Sequence, residues 1–145
     1  IEYLRDPPAR DGLSPLYGAG TDVIPSRTWA DRALAALARR GVPATLTDHL
    51  TWPSLFAQSD AMVDGWRAEG LGTVDMEAGA VAAVAARFGA AAVALLTVWD
   101  ALAEGRTFLD PLDDSAQAAL ERADEATFEA ALDLSAEAGE RRAAA

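Results

Sequence analysis

The chain has 145 residues and a mass of 15.2 kDa, a size that fits one domain and excludes an obvious multidomain protein. Hydrophobic residues make up 51% and charged residues 24% of it, proportions typical of a globular rather than a disordered protein. Twelve basic residues, all arginine, stand against 23 acidic ones, and the net charge of -11 disfavours nucleic acid or an anionic membrane as the main partner. The absence of cysteine excludes disulfides, a thiol nucleophile and cysteine-ligated zinc.

The N-terminal third is predicted to pass from loop to helix to strand. Residues 1–25 contain four of the seven prolines, which predicts a loop-rich lead-in with at most a short strand at 1–4. Ser26 is a suitable N-cap for a helix over 27–40, because an apolar stripe follows it and a glycine ends it. The alternating pattern over 44–50 then predicts a short strand.

The middle of the chain predicts alternating helices and strands. A helix over 59–69 is closed by Gly70, and a short apolar strand over 71–76 follows it. A helix of small residues over 78–88 is expected to be buried, and 91–98 is the clearest buried strand in the sequence. This strand–helix–strand order predicts a βαβ unit with two parallel strands.

The C-terminal third predicts a long amphipathic helix over 111–137. Asp114 or Ser115 is suitable as its cap, and the acidic run over 110–114 is expected to form a solvated loop and the helix start. No linker divides the sequence, so we predict a single domain over 1–145.

Three acidic residues lie where a ligand site is expected. Asp75 and Glu77 flank Met76 at the end of one predicted strand, and Asp100 ends the next. Ligands of open α/β sheets bind beyond the carboxyl ends of parallel strands. A carboxylate there can accept hydrogen bonds from a vicinal diol or deliver a proton to a leaving group. The alternative is structural, with Asp75 or Glu77 capping the next helix and Asp100 capping a turn.

These segments resemble the nucleoside phosphorylase superfamily, which includes purine nucleoside and uridine phosphorylases and the methylthioadenosine and adenosylhomocysteine nucleosidases. Three stretches carry the resemblance: an acid-Met-Glu turn over 73–80, an alanine-rich helix ending in glycine over 84–89, and a strand ending in an aspartate over 95–100. The resemblance implies an α/β fold with a mixed, partly parallel sheet flanked by helices. It also implies that the chain is the C-terminal portion of that fold, with the N-terminal part missing.

The resemblance implies a role for five residues. Glu77 would accept hydrogen bonds from the ribose hydroxyls while Met76 packs against the sugar, and Asp100 would be the general acid that protonates the base. Phe56 would stack on the base. Trp99 stands where the family usually has serine, so it would reshape the base pocket or close it. Alternatively, Phe56 is a core residue and Met76 fills a gap in the core.

Asp75 and His49 are further candidates. Asp75 occupies the first acid of the turn, where the family often has the longer glutamate. His49, beside Asp48, could serve as a base or proton shuttle, although a lone histidine is more often a structural hydrogen-bonding residue. One histidine and no cysteine leave only carboxylates for a metal, and no motif predicts a metal site.

The resulting hypothesis is a nucleoside-binding protein that cleaves an N-glycosidic bond, using phosphate or water. It implies no cofactor beyond phosphate as a co-substrate, a small-molecule nucleoside as partner, and a homo-oligomer. The lack of a membrane-spanning or targeting segment predicts a cytoplasmic location. The alternative is a non-catalytic or degenerate homologue, or a fragment or subunit of a larger complex, because the family's phosphate loop has no counterpart after Ile1. Whether the chain is itself an enzyme stays open.

Overall fold

The computed structural model describes the backbone of residues 2–4, 21–23, 26–52 and 54–143, and the side chains of 26–52, 54–141 and 143. Four strands and four α-helices lie in this part of the chain, with a 3-10 turn at Leu55–Ala57 and another at Leu102–Glu104. They are β1 (Glu2–Leu4), β2 (Thr21–Val23), α1 (Arg27–Arg39), β3 (His49–Thr51), α2 (Asp60–Ala68), β4 (Thr73–Asp75), α3 (Ala78–Arg87) and α4 (Asp114–Ala143). They fall into two units, a sheet unit (Ile1–Ser26 and Thr47–Ala94) and a helical unit (Arg27–Leu46 and Leu95–Ala145).

The sheet unit contains one mixed four-stranded sheet in the order β2-β1-β3-β4. β1 pairs antiparallel with β2 and parallel with β3, and β3 pairs parallel with β4. The predicted α/β class with a mixed, partly parallel sheet and flanking helices is therefore confirmed. The register sets His49 opposite Thr73 and Thr51 opposite Asp75.

Three of the four predicted strands were correct in place but not in extent. The strand predicted over 44–50 begins only at His49, and the strand predicted over 71–76 is confined to Thr73–Asp75. β1 lies inside the predicted 1–4 strand, whereas β2 was not predicted. Most of the lead-in over 1–25 lies outside the described residues.

The helix α2 connects the parallel strands β3 and β4, so the βαβ unit is β3–α2–β4. Its last turn is closed by Gly70 at a φ of 85°, where Gly70 N–H donates to the Arg67 carbonyl and Leu71 N–H donates to the Trp66 carbonyl. This pair of bonds is the Schellman arrangement, which a left-handed glycine permits. Trp66 also packs on Trp52, just after β3, with 5.5 Å between ring centroids.

The small-residue helix α3 is buried on one face only. Ala78, Gly79, Ala82 and Ala83 are buried, and Ala92 packs against the last two. Val81, Val84 and Phe88 are exposed. The predicted burial of this helix is therefore confirmed on one face only, because small side chains allow close approach without requiring it on every face.

The segment 91–98, predicted as the clearest buried strand, forms no strand. Ala92 accepts a hydrogen bond from Ser26 N–H at 2.8 Å, while Leu96 and Val98 are exposed. The βαβ unit predicted over 71–98 is consequently not formed in the described chain. An apolar segment forms a strand only when a neighbouring strand has free backbone groups with which it can pair. Hydrophobicity alone does not show whether such a neighbour exists.

In the helical unit α1 packs against α4 through small side chains. Ala36 and Leu37 meet Ala126 and Ala130, with Val42 and Leu95 packed on them. Arg40, just after α1, pairs with Glu129 at 3.1 Å and with Asp133 at 2.7 Å. The end of α1 at Arg39 lies one residue from the predicted end.

The helix α4 begins at Asp114 and ends at Ala143, six residues beyond the predicted 137. Its cap is Asp113, whose Oδ1 accepts from Ala116 N–H at 2.8 Å, and not Asp114 or Ser115. The exposed acids at the helix start confirm the solvated loop predicted over 110–114. None of the helices in the described chain combines the length and apolar character that crossing a bilayer requires.

Candidate functional site

Asp75 is the last residue of β4, and its carboxylate contacts the first turn of α3. Its Oδ2 accepts from Ala78 N–H at 2.9 Å, and its Oδ1 accepts from Glu77 N–H at 3.2 Å. Asp75 therefore caps the N-terminus of α3, where a carboxylate satisfies backbone donors and complements the helix dipole. The structural alternative for Asp75 is confirmed.

A polar group from β3 completes this cap. The Thr51 hydroxyl donates to Asp75 Oδ1 at 2.9 Å and accepts from Gly79 N–H at 2.7 Å. Thr51 was not among the predicted site residues. Because side chains two apart share a strand face, a strand placed at His49–Thr51 would have directed both polar residues to one side.

His49 lies on the same face as Thr51 and is buried. Its Nδ1 is 2.8 Å from Thr73 Oγ1, within hydrogen-bond distance. Its Nε2 is 2.9 Å from Asp75 Oδ1, but the geometry of this second contact is not that of a hydrogen bond. The structure thus pairs His49 with Asp75, while the sequence neighbour considered for it was Asp48. Two polar contacts inside the fold favour the structural alternative for His49.

The electrostatics of Asp75 follow from these partners. Burial by itself raises the pKa of Asp75, but His49, Thr51 and the Ala78 N–H all favour the charged form. Together they lower the pKa of Asp75 below its ordinary value of 3.8. The group at the head of α3 is therefore a carboxylate at neutral pH.

Met76 and Glu77 follow Asp75 and are exposed. Glu77 occupies the N-cap position of α3, but its side chain makes no capping bond, and its Oε2 accepts from Met76 N–H at 3.1 Å. Met76 is 45% exposed, so the alternative in which it fills a core gap is wrong. The turn presents a carboxylate and a thioether to solvent at the carboxyl end of β4, the edge at which α/β sheets bind ligands.

Phe56 lies on the 3-10 turn Leu55–Ala57 in the sheet unit and is 99% exposed. The alternative that made it a core residue is wrong. An aromatic ring with both faces accessible can stack on a planar heterocycle. Its contact with a base stays a prediction.

Trp99 and Asp100 belong to the helical unit. Trp99 is partly exposed, and Asp100 is half-buried just before a tight loop closed by two backbone hydrogen bonds between Ala101 and Arg106. The Oδ1 atom of Asp100 is fully buried and has no hydrogen-bond partner among the described residues. Buried polar atoms of this kind are uncommon in folded proteins, and Trp52 Nε1 is another in the described chain.

The described residues contain no group of three or more His, Asp or Glu side chains arranged to hold a metal ion. Within the turn, the Asp75 carboxylate is engaged by backbone donors at the start of α3.

Comparison with known proteins places the chain in a family. No curated protein matches it significantly. The family model described as the Phosphorylase superfamily matches residues 3–138, which is nearly the whole sequence and includes the acid-Met-Glu turn and Asp100. Together with the α/β fold, this match shows that the chain belongs to the nucleoside phosphorylase superfamily.

Proposed function

We propose that this protein binds a small nucleoside and cleaves its N-glycosidic bond. Membership of the superfamily supports a nucleoside phosphorylase- or nucleosidase-type function in general terms. The observation that carries the specific proposal is the exposed Met76–Glu77 turn, held by Asp75 at the carboxyl end of a parallel strand. The same position in open α/β sheets binds ligands.

Glu77 is the proposed ribose anchor. An ionised carboxylate has two oxygens and accepts from both members of a vicinal diol, and such charge-assisted bonds are stronger than neutral ones. Both oxygens of Asp75 already accept hydrogen bonds within the fold, and His49 is buried. The sugar contacts are therefore assigned to Glu77, with the Met76 thioether packing on the apolar face of the ring.

Asp100 is the proposed general acid. Loss of the base leaves negative charge on the heterocycle, and a carboxylic acid that protonates it stabilises the leaving group. The half-buried position of Asp100 and the lack of a hydrogen-bond partner for its Oδ1 among the described residues support this role. Phe56 and Trp99 are the proposed base contacts, and phosphate or water is the nucleophile. A homo-oligomeric state and a cytoplasmic location stay predictions.

The test is release of free base from a panel of purine and pyrimidine nucleosides, measured by chromatography with and without phosphate. We expect Asp100→Asn to lower kcat by about 10²–10⁴-fold, the usual contribution of general acid catalysis. We expect Glu77→Gln to lower kcat/KM by about 10–100-fold through weaker sugar binding.

The matched controls are Asp124→Asn and Glu125→Gln, which remove carboxylates from the exposed surface of α4 and should leave kinetics unchanged. Full activity in Asp100→Asn, or no base release by the wild type from any nucleoside, would contradict the proposed reaction.

A non-catalytic nucleoside-binding role is the second candidate, favoured by Trp99. Indole has a single donor and more bulk than the serine hydroxyl usual at this position, and so it cannot orient the neighbouring carboxylate in the same way. Binding of a nucleoside by calorimetry without release of its base would identify this function.

A further inference from the structure

The Thr51 hydroxyl connects three separate pieces of the sheet unit. It donates to Asp75 at the end of β4 and accepts from Gly79 N–H in the first turn of α3, while its own backbone belongs to β3. A hydroxyl has one proton to donate, so donation to Asp75 leaves its lone pairs for Gly79. The Thr51 hydroxyl can therefore donate to Asp75 and accept from Gly79 N–H at the same time.

These two bonds enclose the acid-Met-Glu turn from both sides. Asp75 precedes Met76 and Glu77, and Gly79 follows them by two residues. Asp75 also accepts from the backbone N–H of Glu77 itself at 3.2 Å. A hydroxyl that orients Asp75 therefore acts on the backbone of Glu77 through one intermediate residue.

Thr51 does not itself reach the solvent edge. It is only 4% exposed, whereas Met76 and Glu77 are exposed. His49 contacts the same Asp75 oxygen, Oδ1, from the neighbouring position on the Thr51 face of β3. The carboxylate is thus held between two side chains of one strand, which limits its rotation.

We propose that Thr51 is a positioning residue that sets the orientation of Glu77 toward the ribose hydroxyls. The proposal rests on the proposed role of Glu77, because the network orients a carboxylate whose substrate is inferred. Positioning errors of a fraction of an ångström lower the strength of charge-assisted hydrogen bonds. Loss of the Thr51 hydroxyl should therefore weaken the sugar contact more than the chemical step.

The test compares KM and kcat for the preferred ribonucleoside and for its 2′-deoxy counterpart. We expect Thr51→Val to raise KM for the ribonucleoside about tenfold and to reduce the preference for ribose over deoxyribose, while Thr51→Ser keeps both within about twofold. Thr28→Val, an exposed threonine on α1, is the matched control and should change neither value. If Thr51→Val does not fold, Thr51→Cys provides the comparison, since a thiol is a weak donor.

A double-mutant cycle identifies the route of the effect. In the Glu77→Gln background, Thr51→Val should have no further effect on KM, because the group it positions is gone. A loss of kcat with unchanged KM and unchanged sugar preference, or additive effects with Glu77→Gln, would overturn the positioning role. A wild type that neither cleaves nor binds any ribonucleoside would overturn the proposed function and this inference with it, whereas an active wild type unaffected at Thr51 would overturn the inference alone.

Discussion

At the residue scale, Asp75 carries a charge in a setting that is largely closed to water. Burial opposes ionisation, and the charged form persists because His49 lies beside it and because the Thr51 hydroxyl and the Ala78 N–H donate to it. Such donors lower a carboxylate pKa by stabilising the ion. The cost of burial at this residue is therefore offset by the same bonds that begin α3.

This environment predicts an acid-dependent stability. The pKa of Asp75 is lower in the folded than in the unfolded chain, so between the two values the unfolded state binds more protons and stability rises with pH. We expect Asp75→Asn to lower the free energy of unfolding by about 1–3 kcal/mol at pH 7, since an amide nitrogen cannot accept from the α3 backbone. Urea unfolding from pH 7 downward should show this difference shrinking as the pH falls below the ordinary value of 3.8.

Asp124→Asn on the exposed face of α4 is the control for that titration and should show little difference at any pH. A difference between wild type and Asp75→Asn that stayed constant or grew toward acid would mean that the lowered pKa does not contribute to stability.

At the element scale, the helix ends that a glycine closes were the most predictable features of the chain. Gly70 was expected to close the second helix, and it does so through a left-handed turn that two backbone bonds stabilise. Glycine signals a helix end locally, because no other residue adopts this conformation at so little cost. The three-residue strands have no comparable local signal, which explains why β2 was missed and β3 began later than expected.

The cap at Gly70 predicts opposite outcomes for two glycine substitutions in one helix. We expect Gly70→Ala to destabilise the fold by about 1–2 kcal/mol, the cost of a Cβ in the left-handed region. Gly65→Ala, in the middle of α2 with open space around its Cα, should instead stabilise it by about 0.5–1 kcal/mol. Thermal unfolding of both variants measures the contrast, and a stabilising Gly70→Ala would contradict the assigned turn.

The segment 91–98 shows where local pattern was misleading. Its apolar run predicted a strand, whereas in the structure Ala92 packs on the small face of α3. Hydrophobicity measures the tendency to be buried but does not identify the surface that provides the burial. Only the three-dimensional structure shows that no neighbouring strand in the described part of the chain pairs with 91–98.

At the scale of the whole molecule, family membership was predictable from three motifs and the spacing between them. The side-chain contacts that hold the acid-Met-Glu turn in place were not predictable. The three motifs over 73–80, 84–89 and 95–100 each lie within one short segment, and together they indicated the superfamily that the family match confirms. The residues that support the turn, His49 and Thr51, lie 24 to 28 residues before the residues they contact. Such pairings depend on parallel strand register, which a single sequence does not specify.

The charge of the whole chain predicts how salt affects its stability. A net charge of -11 produces self-repulsion in the compact state, which added salt screens. We expect the Tm to rise by about one to a few °C between low and physiological ionic strength. The double variant Asp124→Asn with Glu125→Gln should show a smaller rise, and a Tm that falls with salt would mean that ion pairs such as that of Arg40 dominate.

The polar contacts across β3 and β4 also bear on how the chain avoids misfolding. If these two strands paired one residue out of step, His49 and Thr51 would turn to the opposite side and lose both Thr73 and Asp75. Several polar atoms would then be buried without partners, at a cost of about 1–3 kcal/mol each. Competing arrangements of the short strands are thereby penalised, so the residues that hold the turn in the finished protein also select the correct pairing while it forms.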